Sequence, residues 1–267
     1  MANFTVEMYS DCLKRQITLK MVVPADYRSD TPVSDEDRRY RERPMKTLFL
    51  LHGYTGKGDS WVPEELAEKY HFAIVCPNGE NGFWLNGRSE GHAYQSLVGE
   101  ELVEFVRATF GLAKNREDTY IMGLSMGGFG ALHTALSYPE VFSKTVALSS
   151  ALIEKEVSRM QPGSHNGVAN YEYYLECFGE PEKVMESENA PEYLVKKLLR
   201  EGREFPEIHM ACGTEDFLLS ENREMDAFLT ENGVCHTYLE WPGSHDMKFW
   251  QEAVWRFIPE IMAENEA

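Results

Sequence analysis

Residues 119–138 read TYIMGLSMGGFGALHTALSY, and this stretch decides the fold. The apolar run over residues 119–124 predicts a buried strand, and residues 126–138 have the periodicity of a helix. A G-L-S-M-G motif at residues 123–127 lies at the junction, so its serine stands in a sharp turn between strand and helix. Glycines allow the close backbone approach that such a turn requires. The pattern predicts that Ser125 is a nucleophile.

The alternation of strand and helix continues on both sides of this stretch. Short apolar runs, typical of strands buried on both faces of a parallel sheet, lie at residues 47–51, 72–77, 144–150 and 207–212. Stretches with helical periodicity lie at residues 61–70, 95–109, 220–232 and 247–262. Residues 16–23 alternate apolar and polar side chains, which predicts a half-buried strand paired antiparallel with residues 4–9. The expected fold class is α/β, with a mostly parallel central sheet and helices on both faces.

Two segments depart from this alternation. Residues 26–46 carry many charges, two prolines and few apolar side chains, which predicts a solvated surface loop. Residues 151–205 contain no convincing strand and are rich in Glu, Tyr and Lys, which predicts a helical insertion in the position of a cap over a pocket. The length of 267 residues and the absence of repeats predict a single domain over residues 1–267.

The chain is strongly acidic, with 44 Asp and Glu residues against 26 Lys and Arg residues and a formal net charge of −18. Such a charge repels phosphate backbones and anionic membranes, so neither nucleic-acid binding nor electrostatic membrane docking is expected. No window approaches the ~18 apolar residues of a membrane span. The sequence therefore predicts a globular protein without nucleic-acid or membrane partners.

The cysteines and the N-terminus indicate the compartment. Five widely spaced cysteines form no C-x-x-C pair and no Cys/His cluster with zinc spacing, so buried reduced thiols and no metal site are expected. Residues 1–16 lack the apolar core of a secretory signal. These features predict a cytoplasmic location, although a mature chain whose signal had been removed would show the same pattern.

A serine hydroxyl is a weak nucleophile, so a base and an acid that orients the base are expected to follow it in the chain. Asp216 and Glu215 both come directly after the predicted strand at residues 207–212, where this architecture needs the orienting carboxylate. Asp216 is the first choice and Glu215 the alternative. His245, in the stretch WPGSHDMKFW before the last predicted helix, is the expected general base.

An oxyanion hole needs two backbone N–H groups. The residue after the nucleophile, Met126, is expected to provide one of them. The other is expected from the loop after an early strand, and the stretch LFLLHGYTG at residues 48–56 contains such a loop. Tyr54 is the candidate donor, and Gly53 before it permits the turn.

Four stretches in this order, LLHGYTG, GLSMGGFGA, CGTEDFL and PGSHDMKFW, resemble the esterase D-like branch of the α/β-hydrolases. The resemblance covers nearly the whole chain. That branch includes tributyrin and acetyl esterases, feruloyl (cinnamoyl) esterases, S-formylglutathione hydrolases and mycolyltransferases. The resemblance implies the α/β-hydrolase fold and catalysis with no metal or organic cofactor. For the site, it implies a triad of Ser125, His245 and Asp216 and an oxyanion hole from Tyr54 and Met126.

Departures from the branch narrow the expected function. S-formylglutathione hydrolases carry a cysteine shortly after the oxyanion glycine, where this chain has G-Y-T-G at residues 53–56, and mycolyltransferases are exported. The expected function is a serine carboxylesterase for short acyl (acetyl, butyryl) or hydroxycinnamoyl (feruloyl) esters of a small molecule or an oligosaccharide. An S-formylglutathione hydrolase or an acyltransferase with the same triad is one alternative. A non-catalytic binding protein with the hydrolase fold is the alternative from another class.

Aromatic side chains are the candidates for substrate contacts. Phe83 and Trp84 lie in the N-G-F-W-L-N stretch after a predicted strand, and Trp84 is expected either to line an acyl or sugar pocket or to anchor the loop. His52 is expected to contact substrate or to make a structural hydrogen bond near the site. Three tyrosines of the insertion either face the pocket or pack in the ordinary way: Tyr171, Tyr173 and Tyr174. The sequence leaves a homo-oligomer open.

Overall fold

One mixed sheet forms the centre of the protein. The computed structural model describes residues 1–27, 30 and 34–263 of the chain, and in this part the sheet has eight strands. Their bounds are β1 Ala2–Ser10, β2 Arg15–Val23, β3 Lys46–Leu51, β4 Phe72–Cys76, β5 Thr119–Leu124, β6 Lys144–Leu148, β7 Glu207–Gly213 and β8 His236–Trp241.

The order of the strands across the sheet is β1-β2-β4-β3-β5-β6-β7-β8. β1 pairs antiparallel with β2, from Ala2 opposite Val23 to Ser10 opposite Arg15, and β2 is antiparallel to β4. All other neighbouring strands are parallel. The prediction of a mostly parallel sheet is confirmed. Because parallel strands share one carboxyl edge, the loops after β3, β5, β7 and β8 meet at the same edge of the sheet.

Helices connect the strands. They are α1 Asp35–Glu42, α2 Glu64–Tyr70, α3 Tyr94–Ser96, α4 Leu102–Phe110, α5 Met126–Ser137, α6 Glu154–Val157, α7 Tyr171–Phe178, α8 Pro191–Glu201, α9 Leu219–Glu231 and α10 Met247–Met262. A π-helical turn, Leu97–Glu101, separates α3 from α4, where the sequence predicts one continuous helix. Among the described helices, none combines the length and the apolar surface needed to cross a bilayer.

The sheet separates two hydrophobic cores. Alternate residues of a strand point to opposite faces, so Phe49 of β3 packs in the core with α4 and α5, whereas Leu50 packs in the core with α2 and α10. Both side chains are at most 1% exposed. Helices thus cover both faces of the sheet, as the sequence predicts. α5 begins directly after Ser125, and its first residue, Met126, is buried.

The prediction of a surface loop over residues 26–46 is wrong in its second half, because α1 lies there. The hydroxyl of Ser34 caps this helix by accepting a hydrogen bond of 3.0 Å from the N–H of Asp37. Tyr40 is buried against Tyr70, with ring centroids 5.0 Å apart. One buried aromatic side chain in a charged stretch gives no apolar periodicity, so the pattern did not indicate the helix. Residues 28, 29 and 31–33 of this prediction lie outside the described residues.

Residues 151–205 leave the sheet after β6 and return to it at β7. They contain α6, α7, a 3-10 turn at Pro181–Glu186 and α8, and they add no strand to the sheet. α8 packs against α5, the helix that follows Ser125. We call residues 151–205 the insertion below.

Two buried carboxyl groups join the first and last helices of the insertion. Glu154 of α6 is 1% exposed and Glu192 of α8 is 8% exposed, and the Oε2 atom of each is buried without a hydrogen-bond partner in the described part of the chain. The ammonium group of Lys155 lies 3.6 Å from Glu192 Oε1 and 2.7 Å from Glu224 Oε2 in α9. Burial, and after it the charge of Glu192, raises the pKa of Glu154 well above its usual value. A proton on Glu154 therefore relieves the repulsion between the two buried carboxyl groups.

The variant Glu154→Gln is expected to gain stability relative to the wild type as the pH rises from mildly acidic to alkaline. A carboxyl group whose pKa is raised on folding lowers the stability progressively above its unfolded-state pKa of ~4.3, until the folded-state pKa is passed. Glutamine keeps a donor and cannot ionise. The difference in melting temperature should grow by ~2–5 °C across this range, as measured by circular dichroism. A difference that does not change with pH would contradict the raised pKa of Glu154.

Candidate active site

Ser125 stands at the carboxyl end of β5, immediately before α5. Its backbone has φ 56° and ψ −120°, an unusual conformation for a residue with a side chain. The turn is possible because the neighbouring glycines meet other backbone at short range. A Cβ atom on Gly123 would lie 1.9 Å from the carbonyl oxygen of Gly127, and one on Gly127 would lie 2.2 Å from that of Leu51. Only glycine fits at these two positions. The tight turn that they allow places Ser125 at the edge of the sheet.

The structure brings Ser125, His245 and Asp216 together. His245 lies in the loop between β8 and α10, and its Nε2 is 2.9 Å from Ser125 Oγ. Its Nδ1 is 2.9 and 3.1 Å from the two carboxylate oxygens of Asp216. A carboxylate only accepts hydrogen bonds, so the ring proton lies on Nδ1. Nε2 is then free to accept the serine proton, which is the arrangement of a general base and its nucleophile.

Asp216 is buried, and its side chain is 0% exposed. Burial alone would raise its pKa, but hydrogen bonds from His245, from the N–H of Leu218 and from Ser149 outweigh the burial and lower the pKa. The carboxylate therefore stays ionised at neutral pH. Glu215, the alternative acid, is exposed and accepts a hydrogen bond from the N–H of Gly243 instead of contacting the histidine.

Two residues that support the triad were missed by the sequence analysis. Ser149, directly after β6, is hydrogen-bonded to Asp216 and accepts a hydrogen bond of 3.0 Å from Trp250 Nε1. The Trp250 ring also meets the His245 imidazole at nearly right angles, with centroids 4.9 Å apart. Trp250 could have been found from its position, five residues after His245 in the same stretch. A tryptophan buried beside the histidine needs an acceptor for its N–H, which points to a further polar residue near the site. Nothing in the local sequence marks Ser149.

The two candidate oxyanion donors are the backbone N–H groups of Met126 and Tyr54. Met126 is the first residue of α5, so its N–H has no partner within the helix. Tyr54 lies in the loop after β3. In the described part of the chain, neither of these N–H groups is bonded to an acceptor. The next residue, Thr55, is held by Asn81, whose Oδ1 accepts its N–H at 2.8 Å. The loop is thus fixed with the Tyr54 N–H left available.

His52 is a buried structural residue beside this loop, which is the second of the two roles expected for it. Its Nε2 accepts a hydrogen bond of 2.9 Å from the N–H of Gly79, so its proton lies on Nδ1. Nδ1 in turn donates to the carbonyl oxygen of Gly53, at 2.8 Å. Burial lowers the pKa of His52, which keeps the ring neutral. At 4% exposure, His52 presents almost no surface to a substrate.

Trp84 does not line a pocket, and that expectation is corrected. Its side chain is 0% exposed, and its Nε1 donates a hydrogen bond of 3.1 Å to the carbonyl oxygen of His52. Two glycines make room for the ring, since a Cβ on Gly79 or Gly130 would lie about 2.6 and 2.5 Å from it. Trp84 is therefore the packed anchor of its loop, the alternative that the sequence analysis left open. Phe83 beside it is also buried, at 4% exposure.

The tyrosines of the insertion have separate positions. Tyr174 is buried, and its ring lies 6.2 Å from that of Phe83. Tyr173 donates a hydrogen bond to the carbonyl oxygen of Asn81, and its ring centroid lies 6.0 Å from that of Tyr54. α7 thus contacts the loop of the candidate oxyanion donor. Tyr171 is only partly buried against the core. In the residues that the structure describes, no group of three or more His, Cys, Asp or Glu side chains is arranged to hold a metal ion.

Comparison with known proteins identifies the family of this chain. The model of the Esterase family, described as "Putative esterase", matches residues 10–260. An acetyl esterase from Caldicellulosiruptor saccharolyticus is 37% identical over 258 residues, which are 95% of this chain and 96% of that protein.

Two solved structures from Staphylococcus aureus superpose over nearly the whole chain. The fluorophosphonate-binding serine hydrolase FphF has a TM-score of 0.82 at 26% identity, with 98% of this chain and 99% of that chain covered. The S-formylglutathione hydrolase FrmB has a TM-score of 0.80 at 27% identity, with the same coverage. From the extent of the family match and the identity to the acetyl esterase, the chain belongs to the Esterase family of the α/β-hydrolase fold and is a carboxylic ester hydrolase.

Proposed function

We propose that this enzyme hydrolyses acetyl and other short-chain acyl esters through an acyl-enzyme on Ser125. The observation that carries the proposal is the hydrogen-bond chain from Asp216 through His245 to Ser125, with distances of 2.9 Å at both links. The 37% identity to an acetyl esterase supports the acetyl group as substrate. The family alone does not fix the acyl group, because one triad serves many esters.

The mechanism follows from the positions of the donors and acceptors. His245 Nε2 takes the proton of Ser125 as the hydroxyl oxygen attacks the ester carbonyl. The N–H groups of Tyr54 and Met126 bind the oxyanion of the tetrahedral intermediate. His245 then gives the proton to the leaving alcohol, and water repeats the sequence to release the acid. Asp216 holds the proton on Nδ1 and stabilises the imidazolium.

The insertion is proposed to form one side of the substrate pocket within a single domain of residues 1–267. Its support is the contact of α7 with the oxyanion loop, where the rings of Tyr173 and Tyr54 meet.

All five cysteines are unpaired, as expected in a reducing compartment, which supports the proposal that the enzyme works in the cytoplasm.

S-formylglutathione is the second candidate substrate, because the FrmB structure superposes over 98% of this chain. The net charge of −18 disfavours it, since glutathione carries two carboxylates that this field repels. Feruloyl esters are a third acyl class that the same triad can attack.

The test is to trap the acyl-enzyme and identify both its acyl group and its site. The protein is mixed with p-nitrophenyl acetate, quenched in acid and digested, and the peptides are analysed by mass spectrometry. We expect an acetyl group on the peptide with Ser125, and faster turnover of acetyl and butyryl esters than of S-formylglutathione or methyl ferulate. Acetylation of another residue would refute the mechanism, and a preference for S-formylglutathione would refute the substrate.

A further inference from the structure

Phe217 is the most exposed of the large apolar side chains in the described part of the chain, at 74% exposure. It lies in the loop between β7 and α9, directly after Asp216. Its ring centroid is 4.5 Å from that of the His245 imidazole, with an angle of 46° between the planes. An apolar ring therefore stands in water in contact with the general base, and burial of this ring by a bound molecule would be favourable.

The backbone that carries Phe217 is fixed on both sides. Asp216 and Leu218 are buried, and the N–H of Leu218 donates to Asp216 Oδ1 at 2.9 Å. The N–H of Asp216 donates to the carbonyl oxygen of Gly213 at 3.0 Å. A ring on such an anchored loop loses little conformational entropy when a ligand packs on it.

The chemistry decides which part of the ester lies near Phe217. The leaving oxygen must receive its proton from His245 Nε2, so the alcohol half of the substrate lies beside the imidazole. The acyl half lies instead at Ser125 and the candidate oxyanion donors. Trp250 also contacts the imidazole, but it is 8% exposed, so of these two rings only Phe217 is open to the leaving alcohol.

The charge around this position narrows the class of alcohol. The loops at residues 214–218 and 242–246, which hold Asp216 and His245, also carry Glu215 and Asp246, both exposed, and contain no lysine or arginine. Negative charge of this kind repels an anionic alcohol or thiol. A neutral group with a flat apolar face suits the Phe217 ring better.

On the basis of the proposed esterase mechanism, the geometry points to Phe217 as a subsite that binds the leaving alcohol. The flat apolar face of a neutral ring in the leaving alcohol, whether an aryl ring or the C–H face of a pyranose, packs on Phe217 while Ser125 attacks the ester. Phe217 thus selects the alcohol and has no part in release of the acid, because the alcohol has left before the acyl-enzyme is hydrolysed.

The experiment compares acetate esters that share the acyl group and differ in the alcohol. Ethyl acetate, benzyl acetate and 6-O-acetylglucose are esters of primary alcohols, so their leaving groups are chemically comparable. We expect Phe217→Ala to lower kcat/KM for one or both ring-bearing esters by roughly three- to tenfold, relative to ethyl acetate. The ester that loses most identifies the ring as aryl or pyranose. Phe217→Tyr should restore the preference, and hydrolysis of the acetyl-enzyme should be equally fast in every variant.

Matched measurements keep the subsite separate from the mechanism. Tyr9→Ala removes another exposed aromatic ring, on β1 at the opposite end of the sheet, and should leave all three esters unchanged. An equal loss on all three esters in Phe217→Ala would show that the ring only holds His245, and no loss on any would show that it is not a subsite. Either result overturns the inference. Failure of the wild type to form an acetyl-enzyme on Ser125 would instead overturn the proposed function.

Discussion

The variant Ser125→Ala is expected to lose at least ~10³-fold in kcat on p-nitrophenyl acetate, and to lose its labelling by a fluorophosphonate. In the proposed mechanism the hydroxyl oxygen attacks the ester carbonyl, and no other described side chain takes its place at 2.9 Å from His245 Nε2. Residual turnover would come from the oxyanion donors and from binding alone. The measurement is steady-state hydrolysis together with gel detection of the fluorophosphonate label.

The fold of this variant should be unchanged, so the loss reports on chemistry. Alanine and serine have similar backbone restrictions, so the positive φ of 56° at this position adds no new strain. Ser220→Ala, at an exposed position in α9, is the matched control and should retain full activity. An active Ser125→Ala variant with full labelling would end the assignment of this nucleophile.

The variant Asp216→Asn is expected to lower kcat by ~10³- to 10⁴-fold with little change in KM. The carboxylate accepts the Nδ1 proton of His245, and its lowered pKa keeps it ionised in the neutral range. An amide in this buried position removes the negative charge and can turn its NH₂ group towards the ring, which favours the tautomer with the proton on Nε2. That tautomer cannot accept the serine proton.

Glu215→Gln is the control for this prediction, because it removes a neighbouring carboxylate that does not contact the imidazole. We expect its kcat on a neutral ester to stay within about twofold of the wild type, because a glutamine oxygen can still accept the N–H of Gly243 and the exposed charge does not contact the imidazole. Comparable losses in the two variants, or a larger loss in Glu215→Gln, would contradict the choice between the two acids. The pH profile of kcat/KM for both variants completes the comparison.

Much of the fold follows from local patterns. The apolar runs predict the strands of the sheet because a strand buried on both faces needs apolar side chains at consecutive positions. The position of Ser125 follows from the strand, the glycines and the helix that flank it, all of them local in sequence. His245 and Asp216 were found through chain order and the ends of strands, because the parallel sheet brings those ends to one edge.

The features that the sequence did not predict have a common physical cause, which is contact between residues far apart in the chain. Tyr40 of α1 packs on Tyr70 of α2, and a single buried side chain of this kind produces no periodic pattern. Trp84 lies in a site made by Gly79 and Gly130, so a ring that looked available in its loop is enclosed. The contacts from Trp250 of α10 through Ser149 after β6 to Asp216 after β7 join residues far apart in the chain, and of the two supporting residues only Trp250 has a local signal, its position after His245.

The entry and exit of the insertion have a consequence for how such enzymes diversify. The insertion leaves the sheet after β6 and returns at β7, and these strands are adjacent, with Leu148 opposite Ala211. The strands that position Ser125 and His245 therefore pair in the same way whatever the length of the chain between β6 and β7. The sheet thus sets no limit on the length of the insertion, whereas the packing of α8 on α5 and the hydrogen bond from Tyr173 to Asn81 fix its position. Related enzymes can therefore differ in the length of this segment without a change in the pairing of the strands that precede Ser125 and Asp216.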